Sequence, residues 1–173
     1  MGLTLLLGGA RSGKSALALR RAAAASGPVV FIATGEALDA EMEARIARHR
    51  AERDPAWTTV EAPLDLHGTL AQAPARACVL VDCLSFWVAN LLRSGLGEAE
   101  ILERTAAAAA LARRRVGATI AVSNEVGMGV IPEYELGRRY RDLLGWVNAA
   151  WAERAEEALL VVAGRTLRLE AAR

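Results

Sequence analysis

Gly8-Gly9-Ala10-Arg11-Ser12-Gly13-Lys14-Ser15 stands between an apolar run, Leu3-Thr4-Leu5-Leu6-Leu7, and a helical stretch, Ser15-Ala16-Leu17-Ala18-Leu19-Arg20. The spacing is G-x-x-x-x-G-K-[ST], in the strand-before and helix-after setting that the motif requires. Glycines let the backbone wrap around a phosphate, with N–H groups pointing inward and a helix N-terminus behind them. In such a loop Lys14 reaches the β- and γ-phosphates, and the Ser15 hydroxyl takes a place on Mg²⁺. Of the 21 basic residues, Lys14 is the only lysine. A compact, mobile ammonium is thus used at one position, and planar guanidinium forks everywhere else. The loop reads as a nucleotide site.

The segments around it read as alternating strands and helices. The apolar run 3–7 is a central strand, followed by a helix over 14–25 that Ser26-Gly27-Pro28 closes and a second buried strand over 29–33. Residues 39–53 form an exposed helix with Asp39 as N-cap and Asp54-Pro55 as the stop. A short strand over 57–61, a short helix over 64–70 and an apolar strand over 78–82 follow. Helices over 85–92 and 98–116 are separated by the Gly95/Gly97 break, and 119–123 is another buried strand. A long helix over 133–157 carries Trp146 and Trp151 as packing anchors. The strands 159–162 and 167–169 are joined by Ala163-Gly164-Arg165-Thr166, too short for a crossover helix, so the last strand is antiparallel to its neighbour. The expected architecture is α/β: a mostly parallel sheet of about seven strands with one antiparallel edge strand and helices on both faces.

Length and charge limit the possibilities further. The 173 residues suit one domain over 1–173, large enough to bury roughly 70% of its unfolded surface. With 21 basic against 20 acidic residues there is no broad electrostatic footprint for nucleic acid or anionic lipid. No apolar run approaches the roughly 20 residues of a membrane span and the opening has no leader-like pattern, so the chain reads as cytoplasmic without membrane insertion. Cys78 and Cys83 are too few and too poorly spaced for a disulfide framework or a zinc site, and read as buried free thiols.

Three further positions carry candidate chemistry. Asp82 closes an apolar strand, where a carboxylate faces the phosphate loop and helps hold Mg²⁺, or merely begins a turn. Asn124-Glu125-Val126-Gly127-Met128-Gly129-Val130-Ile131-Pro132 follows a strand end, where ligands of open α/β sheets bind; it either lines the site or forms only a turn. On the 39–53 helix Met42, Ile46, His49 and Arg53 share one face, with Arg45, Arg48, Arg50 and Arg53 crowding the histidine. A neutral imidazole can attack an α-phosphate, expel pyrophosphate and hold the nucleotide as a phosphoramidate. From the residues alone, a solvated histidine is the competing reading, and the one adopted for His67.

The phosphate loop, the Ile32-Ala33-Thr34 strand end, Arg45-Ile46-Ala47-Arg48-His49-Arg50 with Trp57 and Glu61 after it, and the loop over 124–132 together resemble the bifunctional adenosylcobinamide kinase / adenosylcobinamide-phosphate guanylyltransferase family of cobalamin biosynthesis. The likeness spreads over essentially the whole chain. It implies a fold similar to RecA-like P-loop NTPases, a homotrimer, and two reactions with Mg²⁺: phosphorylation of adenosylcobinamide, a corrinoid, from ATP or GTP, then transfer of GMP from GTP to give adenosylcobinamide-GDP and pyrophosphate. His49 matches the family's guanylylated histidine, and Lys14 of the loop serves the phosphoryl transfer. Gly8, Gly9, Ala10, Arg11, Ser12, Gly13, Lys14, Ser15, Ala33, Thr34, Gly35, Arg50, Ala51, Glu52, Arg53, Glu61 and Asp82 match nucleotide contacts. The phosphate loop by itself also suits a simple small-molecule kinase without a covalent intermediate, or a nucleotide-gated regulatory protein.

Overall fold

The computed structural model describes residues 2–51 and 53–171. Its elements run β1 (Leu3–Gly8), α1 (Lys14–Ala23), β2 (Val29–Ala33), α2 (Ala40–Ala51), β3 (Thr58–Glu61), α3 (Leu66–Gln72), β4 (Cys78–Asp82), α4 (Leu84–Arg93), α5 (Glu98–Arg114), β5 (Thr119–Asn124), α6 (Glu135–Arg154), β6 (Glu157–Val162) and β7 (Arg165–Arg168). They build a 7-stranded sheet in the order β3-β2-β4-β5-β1-β6-β7, parallel throughout except where β7 turns back along β6. The expected strand count and antiparallel edge are both present.

Alternation along each strand divides the core in two, because successive side chains leave opposite faces of a sheet. Leu3, Leu5 and Leu7 of β1, Val30 and Ile32 of β2, and Val79 and Val81 of β4 join one cluster with Leu66, Leu84, Trp87, Ile101, Leu144 and Trp151 from α3, α4, α5 and α6. Leu6, Val29, Phe31, Cys78 and Leu80 point the other way, against Ala18 and Ala22 of α1. Small residues on α1 and α5 allow close approach: Ala108, Ala109 and Ala112 are buried on α5. Cys78 and Cys83 are free and buried, as expected. Among the described residues no helix is long and apolar enough to cross a membrane.

Several boundaries differ from the sequence expectation, each for a local reason. The α5 helix ends at Arg114 rather than 116 because Arg115 turns extended and its guanidinium donates to the carbonyls of Leu70, Ala73, Pro74 and Ala77. Asp65, not a residue of the helix, caps α3 through Gly68 N at 2.8 Å. The final connection is tighter than four residues: Ala163 and Gly164 both take positive φ, 50° and 73°, the mirror-image turn that suits the twist of a hairpin. Arg165 and Thr166 therefore belong to β7. The α6 helix is shorter than 133–157, since Ala155 is extended and β6 begins at Glu157.

Trp146, expected as a packing anchor, faces solvent. Leu143, Leu144, Val147, Asn148 and Trp151 form the buried stripe of α6, and Trp146 falls outside it with 52% of its surface exposed. Trp151 is 0% exposed, and Trp87 on α4 is the second buried indole. Replacing Trp151 by Ala should cost about 3–5 kcal/mol, the range for truncating a buried aromatic. Trp146→Ala should stay within about 0.5 kcal/mol. Urea unfolding of both variants measures the contrast, and equal losses would contradict this assignment of the α6 faces.

Candidate active site

The carboxyl ends of β1, β2, β4 and β5 open on one edge of the sheet, the side on which ligands of such folds bind. β1 delivers the chain into the loop at Gly8, where a Cβ would lie 2.4 Å from the Val161 carbonyl and 2.7 Å from Ser12 Oγ. Only glycine fits there. Gly13 takes φ 97° immediately before α1, a left-handed conformation that side chains disfavour. The turn is braced from outside, because Gly164 N of the β6–β7 hairpin donates to Ser12 O at 2.8 Å. Lys14 is almost fully buried, and its Nζ donates to Gly9 O at 3.0 Å across the loop. The Ser12 hydroxyl is buried without a hydrogen-bond partner among the described residues. An orphaned donor in this position fits an incoming phosphate oxygen.

Asp82 ends β4 beside Ser15, whose hydroxyl bonds its carboxyl. Burial pushes the Asp82 carboxyl above its ordinary value, while His49, the Ser15 bond, Lys14 and Arg53 pull the other way. One hydroxyl and one recessed carboxylate suit Mg²⁺, which keeps water and takes its remaining ligands from substrate phosphates. No cluster of three or more His, Cys, Asp or Glu able to hold a metal exists among the described residues. The donor set therefore fits a nucleotide-bound Mg²⁺ rather than an all-protein metal cage.

The α2 helix closes the other side. Asp39 Oδ1 accepts from Met42 N at 2.7 Å, the expected cap. Met42, Ile46, His49, Arg50 and Arg53 then face a cavity of about 310 Å³ that Lys14, Ser15, Asp82 and Asn124 also line. The Arg53 guanidinium lies 3.6 Å from the centroid of the Phe31 ring. Burial lowers its pKa, partly offset by Asp82. Arg50 and Glu61 approach to 3.6 Å at the rim.

The structure brings together most of the expected residues, with exceptions. Ala33 and Gly35 line the cavity, but Thr34 is wholly buried, its hydroxyl donating to Cys83 O at 2.6 Å and accepting from Cys83 N at 2.8 Å. Ala51 and Arg48 are exposed and outside the lining; among the described side chains Arg50 and Arg53 face the cavity beside His49, and the Arg45 side chain lies outside those described. Glu52 lies outside the described residues, and Gly9, Ala10 and Arg11 form the outer, exposed side of the loop. Of residues 124–132, Asn124 enters the site, whereas Met128, Val130 and Ile131 are exposed. His67 lines a separate hollow with Trp87 and Glu103.

Sequence reasoning missed Phe86, Glu36 and Asn90. Phe86 and Glu36 line the cavity. Asn90 is buried, donates to Thr34 O at 2.7 Å and Pro63 O at 3.2 Å, and accepts from Arg93, which pairs with Glu36. A carboxamide inside the apolar stripe Trp87, Val88 and Leu91 was the available signal. Burial, with the Asp82 charge next, pushes the Cys83 thiol up to about 11, which removes it as a nucleophile near neutral pH.

A family model described as cobinamide kinase / cobinamide phosphate guanyltransferase matches residues 4–169. The bifunctional adenosylcobalamin biosynthesis protein CobP of Pseudomonas aeruginosa is 48% identical over 167 residues, covering 96% of both chains. The corresponding protein CobU of Salmonella typhimurium is 39% identical over 179 residues, covering 94% of this chain and 96% of that one. Among solved structures, a protein of Pyrococcus horikoshii OT3 superposes with a TM-score of 0.59 at 12% identity, over 96% of this chain and 85% of that one. An ATPase from a type III secretion system of pathogenic bacteria gives 0.55 at 10% identity, over 92% and 50%. At such identities the structural likeness is one of fold.

A carboxyl raised by folding leaves the fold most stable while protonated, below the unfolded value of about 3.9, and less stable as pH rises through the raised folded value. Asp82→Asn should therefore melt higher than the parent chain at pH 7, each kcal/mol gained being worth about 2–4 °C. The gap should close as pH falls toward the unfolded carboxyl range. Thermal melts by circular dichroism test this, and a variant less stable at pH 7 would mean that Lys14, His49 and Arg53 outweigh desolvation.

Proposed function

The chain belongs to the cobinamide kinase / cobinamide phosphate guanyltransferase family, a family of bifunctional enzymes in adenosylcobalamin biosynthesis, and from that premise we propose how its one cavity serves both reactions. The hydroxyl of adenosylcobinamide attacks the γ-phosphorus of ATP or GTP, releasing the nucleoside diphosphate. A nitrogen of His49 then attacks the α-phosphorus of GTP; a P–N bond forms, the α–β bridge breaks and pyrophosphate leaves. The phosphate of adenosylcobinamide phosphate displaces the histidine, giving adenosylcobinamide-GDP and free His49. Both steps are assigned to one domain spanning residues 1–173.

The observation that carries this reading is that His49 and the Lys14 loop line the same cavity. A simple kinase needs no imidazole opposite its phosphate loop, and a nucleotide-gated switch needs none either. Lys14 neutralises charge on the transferring phosphoryl group, and the loop N–H groups hold the β-phosphate. Ser15 and Asp82 would hold Mg²⁺, which when bound shields the phosphate oxygens. Arg50 and Arg53 supply cations on the His49 side, where pyrophosphate departs. Gly8 to Gly13, Ala33, Gly35 and Glu61 complete the nucleotide contacts, with Thr34 acting through its hold on Cys83. Ala51 and Glu52 remain assigned to the nucleotide by resemblance.

We further assign the protein to the cytoplasm as a homotrimer without nucleic-acid partners. Balanced charge supports the last point. Met128, Val130, Ile131 and Tyr134, each more than 70% exposed, form an apolar segment of the kind covered between copies.

Incubation with α-labelled GTP and Mg²⁺ should label the protein in an acid-labile, base-stable form. The label should vanish in His49→Ala while phosphorylation of cobinamide persists. Unlabelled wild type would return the protein to the simple kinases, and absence of any cobinamide-dependent turnover to the regulators. Sedimentation equilibrium should give three times the 18.4 kDa chain mass, and a monomer would contradict the trimer.

A further inference from the structure

We propose that Asn124 contacts the γ-phosphoryl group and is a catalytic residue of the phosphoryl-transfer step, an inference that rests on the kinase reading above.

Strand order places Asn124 at the centre of the site. β5 lies between β1, which carries the phosphate loop, and β4, which ends in Asp82. Neighbouring strands are about 4.8 Å apart, so a triphosphate with its Mg²⁺ reaching from the Lys14 loop to Asp82 must pass over the end of β5. Asn124 is the residue at that end. Its Cα is in register with Gly8, the first residue of the loop, whereas Asp82 is in register with Val122. Asn124 thus stands two residues, roughly 7 Å, further along the sheet than the level of Asp82. There it lines the same cavity as Lys14, Ser15, Asp82 and His49.

The surroundings hold this backbone and leave the side chain to the cavity. Asn148 of α6, 6% exposed, donates from Nδ2 to Asn124 O at 3.0 Å and accepts from the fully buried Ser123 hydroxyl at 2.6 Å. Every polar group of that bridge is matched, and it fixes the main chain at 123–124. Among the described residues the Asn124 carboxamide itself has no hydrogen-bond partner. A neutral amide donates to a phosphoryl oxygen without adding charge to a site that already holds Lys14 and Asp82. It keeps the donor aimed as charge moves from the γ-phosphorus to the leaving diphosphate.

The test measures affinity for GDP and for guanylyl imidodiphosphate, both with Mg²⁺, together with cobinamide phosphorylation, in wild type, Asn124→Ala and Asn124→Asp. Both variants should bind GDP within twofold of wild type and the triphosphate analogue at least fivefold more weakly, the Asp variant losing more through repulsion. Phosphorylation should fall by about a hundredfold, as when one donor to developing charge is removed. Parallel loss of both nucleotides, or no loss of the analogue, overturns the proposal. Failure of both variants to fold assigns Asn124 to the scaffold and overturns it equally. If wild type shows no cobinamide-dependent turnover while the variants lose the analogue selectively, the kinase reading fails and the γ-contact stands.

Discussion

A backbone that cradles phosphate must hold several N–H groups at one point, which a free loop cannot do without losing the entropy of ordering itself on binding. Here the ordering is built in. β1 is paired on both sides, with β5 and with β6, so the loop springs from a strand that cannot shift. The far end of the sheet also contributes, since Gly164 in the last hairpin donates to Ser12 O. The close contact of Gly8 with Val161 O locks the loop to β6 in the same way. Residues more than 150 positions downstream thus hold the nucleotide loop in shape.

The opposite wall is held by buried polar contacts. Thr34, Cys83, Asn90 and Pro63 come from the ends of three neighbouring strands and one helix, and are joined by the hydroxyl of Thr34 and the carboxamide of Asn90. Such groups are costly inside a protein unless paired, and paired they specify one arrangement. They hold Asp82 at the base of the cavity and Gly35 at its rim. The opposite face of the cavity is tied to the sheet through Arg53, just beyond α2, over the Phe31 ring, and through the Arg50–Glu61 pair. His49 lines this cavity together with Lys14 and Asp82, and its charge acts on the Asp82 carboxyl.

Legibility in the sequence followed locality. The phosphate loop, the strand alternation, the Asp39 cap and the short final hairpin were readable because each depends on residues a few positions apart. Trp146 departs from its expected role as an anchor because the buried stripe through Leu143, Val147 and Trp151 passes it by. The resemblance gives Thr34 as a nucleotide contact, and only the arrival of Cys83 beside it in the fold decides that its hydroxyl turns inward. Arg115, closing α5 by bonding carbonyls near α3, gave no sequence signal at all, since its partners are 38 to 45 residues away.

The sequence by itself determined that this chain would carry a phosphate-loop motif over residues 8–15, would build a mostly parallel sheet and would carry a histidine on an exposed helix. Those properties follow from backbone conformation and side-chain period, which are local. The tertiary structure alone decided that His49 shares a cavity with Lys14, that Asp82 is recessed there, and that Asn124 stands between the loop and that carboxylate. Strand order is the reason. β5 pairs between β1 and β4 although more than a hundred residues separate it from β1, and no local pattern encodes which strands will lie side by side.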